Sequence, residues 1–137
     1  MERAKPDRLF LGVPLTDAAR RRVVASLPKV LPGKVVIPDN WHFTLRFLGA
    51  TDAERRDELI ARLSIAPLGR PFTITFGELG AFPNPRRARV LWLGVAAGDE
   101  AFRALGAVVE EVVTAVGYEA EKRAFTPHLT LARINPP

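Results

Sequence analysis

The feature that most constrains this chain is a short pattern that occurs twice, 86 positions apart (128 − 42): His42-Phe-Thr-Leu and His128-Leu-Thr-Leu. Both copies are typical of β-strands, in which residues i and i+2 point to the same face of the sheet. The separation is too long for a solenoid repeat. The pattern therefore predicts a domain of two lobes, each of which presents one equivalent strand.

Chance is a poor explanation for this repeat. Thr and Leu account for 8 and 16 of the 137 residues. A histidine is therefore followed by Thr at +2 and Leu at +3 in less than about one per cent of random cases, and both histidines in about one case in ten thousand. His42 and His128 are also the only histidines in the sequence, which makes a shared function the better interpretation.

The rest of the chain alternates strands with helices. Strands are predicted at Arg8–Val13, Lys34–Ile37, His42–Leu48, Phe72–Glu78, Val90–Val95 and His128–Ala132. A first helix is predicted over Asp17–Leu27, with Ala18, Val23, Val24 and Leu27 buried. A second begins at the capping box Thr51-Asp52-Ala53-Glu54 and buries Leu59, Ile60 and Leu63. The clearest helix covers Asp99–Val116. No linker divides the sequence, so residues 1–137 are expected to form one domain.

Composition narrows the class of partner and the compartment. The net charge of +5 and the pI of 10.4 favour anionic partners such as nucleic acid, although arginine can also serve as an ordinary surface cation. The sequence has no cysteine, which excludes disulfides, a thiolate nucleophile and cysteine-ligated zinc and fits a reducing compartment. No apolar stretch approaches membrane-spanning length. We expect a cytoplasmic protein with no membrane contact, and a monomer by default.

The repeated strand carries the chemistry of acid–base catalysis. His42 and Thr44 share one face of their strand, as do His128 and Thr130, while apolar residues fill the opposite faces. In-line cleavage of a phosphodiester needs a base on the attacking oxygen and an acid on the leaving oxygen. Histidine suits both roles because its usual pKa is about 6.5. Threonine hydroxyls can donate to the non-bridging oxygens, where charge concentrates.

Two other interpretations of the histidines were weighed. A single strand histidine is usually a packing or surface residue, but the duplication with Thr at the same offset argues against that explanation. A catalytic zinc site normally has three protein ligands, and His42 and His128 have no acidic residue at short spacing. We therefore expect no metal and no cofactor.

The sequence around both copies resembles a known superfamily. Two His-x-Thr-Leu copies are the hallmark of the 2H phosphoesterases. The flanks Asn40-Trp-His-Phe-Thr-Leu-Arg-Phe-Leu-Gly49 and Phe125-Thr-Pro-His-Leu-Thr-Leu-Ala-Arg133 are similar to the RNA 2′,3′-cyclic phosphodiesterase branch, also called 2′-5′ RNA ligase. The opening Arg8-Leu-Phe-Leu-Gly-Val-Pro-Leu is similar to the first strand of that branch. The resemblance runs from about Arg8 to Arg133.

This resemblance implies both a fold and an activity. The fold is α+β and bilobal, with two antiparallel sheets facing a central cleft and helices packed on the outer faces. The activity is hydrolysis of RNA 2′,3′-cyclic phosphate ends to a 2′-phosphomonoester, without a cofactor and with reversible 2′-5′ ligation in some relatives. By matching position, His42 is the proton donor and His128 the proton acceptor, and Thr44, Thr130 and Arg133 bind the phosphate.

Three further substrate contacts depend on which way the strands face. Strict alternation puts Arg133 opposite His128, so it reaches the pocket only if the strand ends or bulges near Ala132. Arg46, which alternation places in phase with His42, is the easier candidate for a phosphate contact. Phe47 is expected in the core, with stacking on a base as the alternative.

Other aromatic and basic residues give weaker signals. The segment Pro83-Asn-Pro-Arg-Arg-Ala-Arg89 is either a basic loop that grips RNA phosphates or a plain solvated turn. Trp41 and Trp92 are expected to be packing residues.

The C-terminal end and the substrate class leave alternatives open. The chain stops at Pro137, six residues after Leu131 (137 − 131), where family members normally continue, so a shortened second lobe is expected. One alternative function is an RNA- or nucleotide-binding module that kept the fold with little turnover. Another is a 2H phosphodiesterase for a different small cyclic phosphate. The expected partners are RNA with 2′,3′-cyclic phosphate ends or small cyclic nucleotides.

Overall fold

A computed structural model describes residues 5–134 of the chain, which fold into six strands and three α-helices. In chain order these are β1 (Asp7–Pro14), α1 (Asp17–Ser26), β2 (Lys34–Val35), β3 (His42–Thr51), α2 (Ala53–Ile65), β4 (Thr75–Phe82), β5 (Val90–Ala97), α3 (Asp99–Val116) and β6 (His128–Arg133). Short 3-10 turns, Pro38–Asn40 and Pro85–Arg87, precede β3 and β5. The predicted α+β class is confirmed. Pro136 and Pro137, on which the expectation of a short end depends, lie outside the described residues.

The six strands form one antiparallel sheet. Its order is β1-β3-β6-β5-β4, and the short β2 pairs with the last two residues of β6. The β1–β3 ladder and the β4–β5–β6 ladder correspond to the two predicted lobes. Instead of forming two separate facing sheets, the lobes are joined by one residue pair, Phe43 with Leu129. The strands β3 and β6 therefore touch at the repeated motif and diverge on both sides of it.

The helices pack on one face of this sheet, which we call the helix face. Two apolar clusters fill the space between helices and sheet. The first contains Leu15, Val23, Trp41, Phe43, Leu93, Phe102, Leu129 and Leu131. The second contains Leu48, Leu59, Val109, Val113 and Val116. Because α3 contributes to both clusters, it supports both lobes from the same side.

Each helix buries a narrower stripe than the sequence predicts. In α1 only Val23 is buried, whereas Ala18 and Val24 are exposed, and in α2 Ile60 is exposed beside the buried Leu59. A helix that lies on the rim of a sheet contacts it along one line of residues, so apolar residues on its flanks remain in solvent. In α3, Val113 is completely buried. None of the helices within residues 5–134 is long and apolar enough to cross a membrane.

Two predicted boundaries are corrected by the structure. The N-cap of α2 is Asp52, whose carboxylate accepts from the Arg55 N–H at 2.8 Å, so the capping box does not form. Thr51 is instead the buried last residue of β3, and its hydroxyl lies 2.6 Å from the Tyr118 hydroxyl. The fourth strand begins at Thr75, three residues later than predicted, and extends to Phe82.

A β-bulge follows each histidine motif at the same place. In β3 the pairing with β1 skips Leu45, and in β6 the pairing with β5 skips Leu131. Each of these residues is the leucine at +3 of the motif. An extra residue reverses the alternation of faces beyond it. A second bulge in β3 skips Leu48, next to Gly49 with φ of +71°. The residues after each motif therefore face opposite to the prediction.

Phe43 and Phe47 on β3 provide a matched test of this phase change. Phe43 is 3% exposed in the core, whereas Phe47 is 70% exposed, which corrects the expectation that Phe47 is a core residue. We expect Phe43→Ala to lower the free energy of unfolding by about 3–5 kcal/mol because it leaves a cavity. Phe47→Ala should change it by less than about 0.5 kcal/mol, as exposed positions usually do. Urea unfolding of both variants measures the difference, and equal losses would contradict the bulged register.

Candidate active site

The junction of β3 and β6 brings the two histidine motifs together. The Phe43–Leu129 pair fixes the register, which by extension puts His42 across from Thr130 and Thr44 across from His128. Because Phe43 and Leu129 point into the core, their neighbours on either side point to the opposite face. We call this surface the histidine face. His42, Thr44 and Thr130 are partly exposed on it and His128 is exposed, so the predicted quartet is assembled.

Both imidazoles are oriented by the same backbone contact. His42 Nδ1 lies 2.8 Å from the Asn40 carbonyl oxygen, and His128 Nδ1 lies 2.8 Å from the Thr126 carbonyl oxygen. A carbonyl oxygen can only accept, so each Nδ1 must carry the proton and donate. In the neutral tautomer, Nε2 of each ring is then a free acceptor; in the imidazolium it is a donor. The site therefore presents two Nε2 atoms that can give or take a proton.

The bulge at Leu131 brings Arg133 to the histidine face. It makes Ala132 a fully buried residue that pairs with Leu91 on the helix face. Arg133, one residue further, is exposed and pairs with Val90. The condition under which Arg133 could reach the pocket, a bulge near Ala132, is therefore met.

The equivalent bulge in β3 turns Arg46 the other way, which corrects the prediction that it is in phase with His42. Arg46 pairs with Leu11 on the helix face, and its side chain is only 10% exposed. Its Nη1 donates to both carboxylate oxygens of Glu110 on α3, at 2.7 and 2.6 Å, and its Nη2 donates to the Glu119 carbonyl. Arg46 is thus an internal tie between β3, α3 and the segment that follows α3.

Glu110 extends this tie to the chain that leads into β6. Its Oε1 also accepts from the Glu121 N–H at 2.8 Å. The Arg123 N–H, foremost, and the charge of Arg46 hold the pKa of the exposed Glu121 carboxyl below its usual value. Arg46 and Glu110 therefore fasten the start of the segment between α3 and His128 onto the strand that carries His42.

Phe10 is a neighbour of His42 that the sequence did not single out. Its ring stacks on the His42 imidazole with a centroid distance of 4.6 Å and lies 6.2 Å from the ring of Phe47. Gly12 makes this contact possible, because a Cβ there would lie 3.1 Å from Phe10 and 3.3 Å from His42. An aromatic residue two positions before a glycine in β1 was the available signal.

Trp92 occupies a similar position beside the second histidine. Its ring is 6.2 Å from that of His128 and covers Gly80, where an added Cβ would lie 2.3 Å from the indole. Trp92 is only partly buried, since it pairs with Thr130 and therefore lies on the histidine face. Trp41, in contrast, is buried as predicted, and its Nε1 donates to the Val36 carbonyl at 3.1 Å.

Two open grooves border the histidines. One, of about 580 Å³, is lined by Phe10, Gly12, Pro14, Asp39, Asn40, Trp41 and His42. The other, of about 520 Å³, lies on the far side of Trp92 and includes Glu78, Asp99, Arg103 and Thr126 in its wall. Within residues 5–134, no three side chains of the metal-binding types His, Cys, Asp and Glu lie close enough together to hold an ion.

A six-stranded antiparallel sheet with helices on one face and two histidine–threonine pairs on the other is the arrangement of the 2H phosphoesterases. A sequence model of the family described as LigT-like phosphoesterase matches residues 14–92. This chain belongs to that family. The matched region includes the first histidine motif, and longer pairwise matches extend through the second.

Characterised relatives and solved structures agree with this assignment. The chain is 42% identical over 104 residues to the RNA 2′,3′-cyclic phosphodiesterase of Aeropyrum pernix, a match that covers 76% of this chain and 58% of that protein. It is 39% identical over 131 residues to the Archaeoglobus fulgidus protein of the same name, covering 93% and 72%. Escherichia coli LigT complexed with 3′-AMP superposes with a TM-score of 0.76 at 32% identity, covering 93% and 73%.

We predict that the Arg46–Glu110 pair is worth far more than an exposed ion pair. Arg46→Met should lower the free energy of unfolding by about 3 kcal/mol, because it leaves a largely buried carboxylate without its partner. Arg62→Met, which removes the exposed Arg62–Glu58 pair on α2, is the matched control and should cost less than about 0.5 kcal/mol. Urea unfolding checks both values, and similar losses would show that Arg46 is not an internal tie.

Proposed function

We propose that this protein hydrolyses the 2′,3′-cyclic phosphate ends of RNA to 2′-phosphomonoesters by two-histidine acid–base catalysis. The observation that carries the proposal is the paired geometry of His42 and His128. Each imidazole is held through Nδ1 by a carbonyl two residues earlier, and each lies on the histidine face beside a threonine of the adjacent strand. The names of the Aeropyrum and Archaeoglobus relatives support the same substrate.

The two histidines divide the proton transfers. His42 begins as the imidazolium and donates its Nε2 proton to the departing 3′ oxygen as the bond from phosphorus to that oxygen breaks. His128 begins neutral and accepts a proton at Nε2 from the water that attacks phosphorus on the opposite side. The product is a 2′-phosphomonoester with a free 3′ hydroxyl. His42 ends neutral and His128 ends protonated, so exchange with solvent resets the pair.

Thr44, Thr130 and Arg133 would stabilise the charge on the non-bridging oxygens. The two threonines flank the Phe43–Leu129 pair, one on each strand, so their hydroxyls approach the phosphate from both lobes. Arg133 is exposed on the same face and can add a bidentate contact. Donors that are already in place when charge develops lower the barrier without reorganisation.

The same site would run in reverse with a nucleoside 5′ hydroxyl in place of water. His128 would then take the proton of that hydroxyl, and His42 would protonate the same 3′ oxygen, so that a 2′-5′ linkage forms. Ligation is therefore the same displacement with a different nucleophile, and its extent depends on whether the second RNA end outcompetes water.

A basic rim beside the site supports RNA over a free mononucleotide. Arg133 lies between Lys34 of β2 and Val90 of β5, and Arg89 accepts the Ile134 N–H at its carbonyl. Lys34, Arg86, Arg87 and Arg89, which we call the basic rim, are all exposed. The rim is about 15 Å along β6 from His128, given the rise of a strand. It can therefore contact phosphates that precede the cyclic end.

We expect His42→Ala and His128→Ala each to lower kcat by at least about a hundredfold, the low end for a positioned acid or base. KM should rise less, because the threonines and Arg133 still hold the phosphate. The double variant should be little worse than the poorer single variant, since the two groups act as one unit. Thr44→Ala should be milder because it removes no proton transfer. The measurement is turnover of an oligonucleotide with a 2′,3′-cyclic phosphate end.

This assay should be run in EDTA, with the position of the product phosphate determined. Retained activity and a 2′-phosphate are the expected results. A folded His128→Ala protein with near-parent turnover would sink the assignment of roles. Loss of activity in EDTA with rescue by zinc or manganese would replace the acid–base proposal with metal catalysis. Binding without release of a phosphomonoester would favour the alternative of a binding module.

The basic rim predicts a salt-dependent preference for longer substrates. A variant with Arg86, Arg87 and Arg89 all changed to Gln should raise KM for a cyclic-ended oligonucleotide and flatten its dependence on salt, by about 0.7 in the logarithmic slope per lost phosphate contact. KM for a 2′,3′-cyclic mononucleotide should not change. Equal effects on the two substrates, or none, would favour an enzyme for small cyclic phosphates.

A further inference from the structure

An exposed aromatic surface adjoins the proposed proton donor. Phe10 and Phe47 are paired across β1 and β3, are 46% and 70% exposed, and have ring centroids 6.2 Å apart. We call them the aromatic pair. Phe10 also stacks on His42, so the surface is continuous with the catalytic imidazole. Two large apolar rings left in solvent at the edge of a polar site are unusual enough to need an explanation.

The position of Phe47 is not accidental, because it is equivalent to Arg133. Each residue is at +5 from its motif histidine, and in each strand the bulged leucine at +3 turns that position to the histidine face. The two lobes therefore present different chemistry at the same place in the fold. One lobe offers a cation for phosphate and the other offers an aromatic ring.

The stereochemistry of the reaction decides which lobe receives the nucleoside. His42 protonates the 3′ oxygen, and that oxygen remains bonded to the ribose. The attacking water enters from the other side of phosphorus, beside His128. The ribose and its base must therefore lie on the His42 side. The groove of about 580 Å³ on that side is walled by Phe10, Gly12, Asp39 and Asn40.

From these observations we infer that Phe10 and Phe47 form a stacking surface for the nucleobase that carries the cyclic phosphate. This inference rests on the proposed function and adds the base as a recognised part of the substrate. Every base has an aromatic face, so such a surface binds all four nucleotides and favours the larger purines. Base–aromatic stacking is worth about five- to a hundredfold in affinity. The enzyme would thus select nucleotides over base-free cyclic phosphates.

The test compares a nucleoside 2′,3′-cyclic phosphate with methyl riboside 2′,3′-cyclic phosphate, which has the same reacting group and no base. Phe47→Ala and Phe10→Leu should each lower kcat/KM for the nucleotide by about five- to a hundredfold, mainly through KM. Both should leave the methyl riboside substrate within about twofold of the parent. Ile60→Ala, which removes an exposed apolar residue on α2, is the matched control and should alter neither substrate.

Each outcome bears on the inference. Equal losses on both substrates would mean that the aromatic pair only supports the site, and no loss on the nucleotide would mean that the base binds elsewhere. Either result overturns the inference. Failure of the proposed function is separate, because the parent protein would then turn over neither substrate. Phe47→Ala is the more secure variant, since its exposed ring contributes little to folding, and its unfolding curve should match that of the parent.

Discussion

The pairing of Phe43 with Leu129 is the interaction on which the site depends. It is the only position at which β3 and β6 are joined within residues 5–134, and it connects the two ladders into one sheet. Both side chains are buried, at 3% and 0% exposure, so apolar burial on the helix face holds together the strands that carry the polar quartet on the other. Separation of this pair would move the histidines apart, since their positions follow from its register.

Backbone carbonyls orient both imidazoles. Each histidine follows a turn or loop whose carbonyl, two residues back, accepts its Nδ1–H. A neutral peptide oxygen fixes the tautomer without adding a charge beside the ring, so either imidazole can serve as the acid or the base. The difference in role must therefore come from the substrate: the imidazole nearer the 3′ oxygen donates, and the one nearer the water accepts. This accounts for two motifs that are so alike performing opposite proton transfers.

The sequence was sufficient for the strands, the helices and the quartet, because these follow from periodicity and from the repeated motif. It was not sufficient for the residues after each motif. Alternation predicts that Arg46 faces the cleft and Phe47 the core, and the bulge at Leu45 reverses both. A bulge leaves no periodic signal, since it depends on how β1 and β5 pair with the motif strands. The partner of Arg46, Glu110, is 64 positions away and becomes visible only in the packed structure. The conditional prediction for Arg133 named the bulge that the structure contains.

The bulges also explain why the motif ends in leucine. At +3 the chain carries one residue too many for the neighbouring strand, and a bulged residue on a buried face must fill the core. Leu131 is completely buried and Leu45 packs against both apolar clusters, which anchors each bulge. Once the bulge is fixed, position +4 faces the helices and position +5 faces the site. The lobes then differ where the substrate differs: +4 is the tie Arg46 in one and Ala132 in the other, and +5 is Phe47 in one and Arg133 in the other. A nucleotide has a base at one end and a phosphate at the other, so a site built from two equivalent strands must break its symmetry, and it does so immediately after the bulge.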